Sequence, residues 1–191
     1  DGCTWAGDNT YGDKIVARHV HKAFPRYAGE SSYANLQSNV SNIATMSAAE
    51  ALVFWLGGFP NGAKEMQGFN KNPLSPFSPG GQRTTPFYDF DANRLADRNG
   101  NGWLEYYPAD TSLRAPYVYF GSLPNGTYVG GYSVPSSIQP GATGAAVPYR
   151  TDAGGFVNPR KCQIMWCGFD FDYGGSSGNK RFPSGANYAQ G

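Results

Sequence analysis

Between residues 59 and 88, and again between 134 and 160, proline, glycine, asparagine and alanine leave little from which a long helix or strand could be built. Proline lacks the amide donor that ladders need, and glycine is costly to fix in one conformation, so both stretches read as loops. Regular structure must lie before, between and after them. The 26 Gly, 14 Pro, 12 Phe, 13 Tyr and 4 Trp then describe long connections stiffened by large rings, a composition that favours a secreted or surface-exposed protein.

Ahead of the first loop stand two helical patterns. In residues 13–24 Ile15, Val16, Val20, Ala23 and Phe24 recur at helical spacing until Pro25 stops them. His19 and His21 fall two apart, on opposite sides of such a helix, so they cannot share a metal. After a polar stretch over 31–46, read as a loop, Ser47-Ala-Ala-Glu50 forms a capping box. The helix continues through a buried stripe of Ala51, Leu52, Trp55 and Leu56, and Gly57-Gly58 ends it.

Strands are expected at 86–90, 116–120, 127–133 and 162–167. Pro124-Asn125-Gly126, a hairpin-turn signal, sits between the second and third. No internal repeat occurs. The sequence therefore predicts an α+β fold: N-terminal helices on a small antiparallel β-sheet, with long Gly/Pro-rich loops, in a single domain spanning 1–191.

Charge and cysteine content exclude several roles. Fifteen Lys+Arg against 14 Asp+Glu give a net charge of +1, which supplies no field for nucleic acid. The longest apolar run, ALVFWL at 51–56, is far below the ~20 residues of a membrane span. Cys3, Cys162 and Cys167 are too few for a disulfide framework and match no zinc pattern. Cys162 and Cys167 would point to opposite faces of one strand, so any bridge should join Cys3 to one of them.

The stretch LADRNGNGWLEYY, residues 95–107, carries the clearest chemistry. Asp97, Asn99 and Asn101 alternate and Gly102 follows, as in the first half of an EF-hand loop, where oxygens at positions one, three and five converge on an ion. The Trp103 carbonyl would be a further ligand, and Glu105 stands at position nine. Position twelve is Pro108, so the expectation is a shorter calcium turn, with a metal-free Asx turn as the alternative.

Other acids are candidates for paired-carboxylate chemistry. Asp89/Asp91 and Asp170/Asp172 are each spaced by two, which on a strand shares one face. No nucleophile elbow, zinc-protease helix, Walker loop or dinucleotide fingerprint accompanies them, and a non-enzyme is expected. Asn39-Val-Ser41 and Asn125-Gly-Thr127 fit the N-glycosylation pattern.

In order, the N-terminal helix, MSAAEALVFWLGGFPN, GFNKNPLSPFSP, FDANRLADRNGNGWLEYY, PYVYF and the closing NPRKCQIMWCGFDFDYGG resemble the soluble part of prepilin-like proteins. The nearest group is the pseudopilins of type II secretion systems, and the resemblance covers most of residues 13–175. It implies a filament subunit whose hydrophobic N-terminal helix, upstream of this chain, anchors it in the inner membrane before assembly. It also implies an extracytoplasmic sheet domain, at the periplasm or cell surface, and partners that are other copies or related pilin-like subunits. The calcium of major pseudopilins is carried by the resemblance to Asp97, Asn99, Asn101 and Glu105. The alternative is a secreted or cell-surface carbohydrate-binding module that presents exposed aromatic rings.

Overall fold

The computed structural model describes residues 20–27, 40, 43, 46–110, 115–128, 130–133, 145–169 and 173, and the backbone of two strands at 179–182 and 187–188. Of the helix expected over 13–24, residues 20–23 are described and helical. The Phe24 N–H donates to the Val20 carbonyl at 2.7 Å. The earlier turns of that helix, with His19, lie outside the described residues, as do most of 31–46 and the Asn39 sequon.

Helix α1, Ala48–Gly57, opens on the full capping box. The Ser47 hydroxyl accepts the Glu50 N–H and the Glu50 carboxylate accepts the Ser47 N–H, which satisfies two amides at the helix start. Its buried face is wider than the expected stripe: Ala49, Glu50, Val53 and Phe54 are all buried, while Trp55 and Leu56 stay partly exposed. Gly58 ends the helix at φ 77°. A Cβ there would sit 2.2 Å from the carbonyl carbon of Gly68, so only glycine allows the two backbones to touch.

The 59–88 segment is ordered by its asparagines. The Asn61, Asn70 and Asn72 side chains each accept backbone N–H groups two residues on, holding successive tight turns. Phe69 and Phe77 from this loop are buried beside Phe54, with ring centroids at 5.5 and 6.2 Å. The loop thus inserts two rings into the core.

The strand expected over 86–90 is not formed. The Phe87 and Tyr88 N–H groups both donate to the Leu56 carbonyl at the end of α1, which removes them from any ladder. Asp89 and Asp91 consequently do not share a strand face; both are exposed, and Asp91 caps a short 3-10 turn, Ala92–Arg94.

The strands are short and fall into small sheets. β1 (Leu95–Ala96) pairs antiparallel with β2 (Glu105–Tyr106), and β3 (Val118–Gly121) pairs antiparallel with β7 (Cys162–Met165). β4 (Tyr132–Ser133) pairs with β5 (Ala145–Ala146). β6 (Arg150–Thr151) runs parallel to β8 (Asn179–Phe182), which pairs with β9 (Asn187–Tyr188). The architecture is mixed α and β, with sheets that are mostly antiparallel. α1 packs on β3 and β2.

Two expectations need correction. The Pro124-Asn125-Gly126 turn forms, the Leu123 N–H reaching the Thr127 carbonyl at 2.7 Å, but it makes no hairpin. Its flanks pair elsewhere because Val118 and Phe120, alternate residues on the buried face of β3, find Met165 and Gln163 opposite them. The 134–160 segment is also not wholly loop, since β5 and β6 fall within it. Cys162 is exposed and Cys167 buried, and they are not bonded to each other, in line with the expectation from their spacing. Cys3 lies outside the described residues.

Candidate functional site

The 97–105 loop closes on itself and then on α1. The Asp97 carboxylate accepts N–H groups from Gly100, Asn101 and Gly102, the first at 2.7 Å. Gly100 and Gly102 reach φ 73° and 93°, a region that glycine enters freely, and this lets successive amides turn inward toward Asp97. Asn99 and Asn101 accept, through Oδ1, the N–H groups two residues on. The Trp103 ring then keys the loop into the core, edge-on to Phe54 at 5.3 Å.

The two asparagine amides point the other way and meet at one atom. Asn99 Nδ2 and Asn101 Nδ2 donate to Glu50 Oε1 at 2.7 and 2.9 Å. Glu50 is 1 % exposed, so one carboxylate caps α1 with one oxygen and clasps the loop with the other. Sequence reasoning assigned Glu50 to the cap alone; the capping box shows where its backbone sits, but nothing in Ser-x-x-Glu reveals a second partner about fifty residues away.

Glu105 is separated from this clasp. It is fully buried on β2, opposite Ala96, and its carboxylate accepts hydrogen bonds from the Tyr107 and Tyr132 hydroxyls. Burial raises its pKa to about 7, against the two tyrosine hydrogen bonds that favour the anion; the charges of Glu50 and Asp97 push it further up. The Tyr107 and Tyr132 hydroxyls are in turn held in their neutral form by burial and by the Glu105 charge. Arg98 brings a cation to this region, stacked on the Tyr107 ring at 3.9 Å.

Asp97, Asn99 and Asn101 are therefore brought together, with Glu50 added, while Glu105 is engaged by tyrosines. Among the described residues no three His, Cys, Asp or Glu side chains are gathered closely enough to hold a metal ion. Any cation at the loop would depend on the neutral amide oxygens as well. Asp170 and Asp172 lie outside the described residues.

A double-mutant cycle checks the clasp. Glu50→Gln leaves one carbonyl oxygen to serve both the Ser47 N–H and the two amides, and a loss of about 1–2 kcal/mol is expected. Asn101→Ala in the Glu50→Gln background should cost much less than in the wild type, and strictly additive losses would dismiss the contact. Comparison of the chain with protein-family models, curated proteins and solved structures returns no match.

Proposed function

We propose that this chain is the non-enzymatic, extracytoplasmic domain of a pilin- or pseudopilin-like filament subunit, with other copies or related subunits as partners. Its 97–105 loop acts as a calcium-stabilised clasp. The observation that carries the reading is the seating of the loop: it is tied through Glu50 to the first turn of α1, as a structural joint between helix and sheet. The rival carbohydrate module calls for a flat row of exposed rings. Tyr88, Phe90, Tyr106, Tyr117, Trp166 and Phe169 do follow one another, but the end pairs are turned by 69° and 82° and Phe90 and Tyr106 are buried.

A hard cation would be held through oxygens of Asp97, Asn99, Asn101 and Glu50 that accept N–H groups in this structure, so its entry would exchange those hydrogen bonds for metal contacts. Only two full charges contribute directly, so a dissociation constant on the order of 0.1 mM is expected, in the range of extracellular modules. At about ten times that concentration, linkage adds roughly 1.4 kcal/mol. This corresponds to a melting shift of about 3–6 °C for a chain of this size. Asp97→Ala should abolish the shift; equal melting in calcium and in chelator would remove the metal from the proposal. The filament part is tested by the coding sequence upstream of Asp1, where a short leader and an apolar helix are expected, and an initiating Met directly before Asp1 would overturn it.

A further inference from the structure

On a different face, α1 and the small sheets enclose a groove of about 370 Å³ that includes none of the loop residues. It is lined by Leu52 and Leu56 of α1, by Phe90, Tyr106 and Tyr117, and by Ile164 of β7, which is 54 % exposed. Such a volume suits a small molecule, and the lining is mostly apolar. Its polar groups are the Tyr88, Tyr106 and Tyr117 hydroxyls and one charge, Arg94.

Arg94 is the informative residue. Its Nε donates to the Tyr107 carbonyl at 2.8 Å and its guanidinium carbon lies 4.2 Å from the centre of the Tyr106 ring. These two contacts fix the plane of the fork. Among the described residues no carboxylate pairs with it; the neighbouring Asp91 spends its Oδ1 on the Asn93 backbone and side-chain N–H groups. A guanidinium so held, with no carboxylate partner among the described residues and lining a mostly apolar groove, is a ready partner for a planar carboxylate.

The geometry points to a binding site for an apolar monocarboxylate, its hydrocarbon body between the α1 leucines and the tyrosine rings and its carboxylate on the terminal N–H groups of Arg94. A sugar fits less well, because its many hydroxyls would be buried against leucine, isoleucine and phenylalanine without partners. The inference stands on residues separate from the calcium loop and does not depend on the filament reading.

The test is calorimetric titration of the intact chain with sodium decanoate, decan-1-ol and maltohexaose, followed in parallel by methyl NMR of Leu52, Leu56 and Ile164. Decanoate should saturate and shift those methyls, with decan-1-ol at least tenfold weaker and maltohexaose silent. Arg94→Met, which keeps the apolar stem over Tyr106, should weaken decanoate about tenfold and leave decan-1-ol unchanged. Arg94→Lys should recover part of the loss. Ile164→Glu, at an exposed position that the fold does not need, should block both ligands. Equal affinity for acid and alcohol, an Arg94→Met chain that melts normally and binds decanoate as the wild type does, or maltohexaose shifting the same methyls would each overturn the assignment. So would failure of decanoate to bind a chain that sediments as a dimer, if Ile164→Glu made it monomeric, since the face would then belong to a second copy.

Discussion

Phe54→Ala is expected to lower the unfolding free energy by about 3–5 kcal/mol, the usual cost of emptying a large aromatic site. Phe54 is 2 % exposed and its ring meets Trp103 at 5.3 Å, Phe69 at 5.5 Å, Phe59 at 5.7 Å and Phe77 at 6.2 Å. Those partners come from two separate loops, so truncation does more than open a void in one element. It frees the anchors of the 59–88 segment and of the 97–105 loop together. Melting should fall by roughly 6–20 °C, taking about 2–4 °C per kcal/mol. Phe54→Leu, which refills most of the volume, should recover well over half of this. A midpoint in urea that moves by less than the equivalent of about 1 kcal/mol would show that the ring cluster is not the seat of stability.

The second large effect is a pH dependence carried by Glu105. Its folded pKa, about 7, stands above the ordinary 4.5. Between those values the folded chain keeps a proton that the unfolded chain has released, so stability is greatest below the lower value and falls as pH rises through the window. A difference of two to three units corresponds to about 3 kcal/mol in all, flat again above pH 8. Measured in chelator, wild-type stability should therefore drop between pH 5 and pH 8. Glu105→Gln should flatten that profile, because a neutral amide can still accept from Tyr107 and Tyr132. Parallel profiles for the two chains would assign the pH dependence elsewhere.

What could be read in the sequence follows the range of each interaction. The capping box at Ser47 and Glu50, the stop at Gly58 and the turn at Asn125-Gly126 are all decided within a few residues, and each forms as expected. The inward turn of Asp97, Asn99 and Asn101 is equally local, since each side chain bonds to amides at most five residues ahead. The strand expected at 86–90 had the right apolar content, but the Leu56 carbonyl took its amides first. Likewise the hairpin turn was legible while the choice of β7 as the partner of β3 was not, because that choice depends on which buried faces match across the fold. Glu50 in the clasp and Tyr132 beside Glu105 are long-range partners of the same kind. A lone acidic residue in a sequence does not announce whether it will face water or two tyrosines.

The pairing of Gly121 with Cys162 at the edge of the β3–β7 sheet makes the whole intervening segment a side excursion that leaves and returns at one point. The closure entropy of such an excursion grows only with the logarithm of its length, about 0.6 kcal/mol for each doubling. Extra residues at the exposed Pro124-Asn125 turn within it would therefore weigh little on the sheet at its base. That turn can lengthen or carry an inserted peptide, while Tyr128, Tyr132 and Ala146 stay in the core and the pairing at the base stays in register.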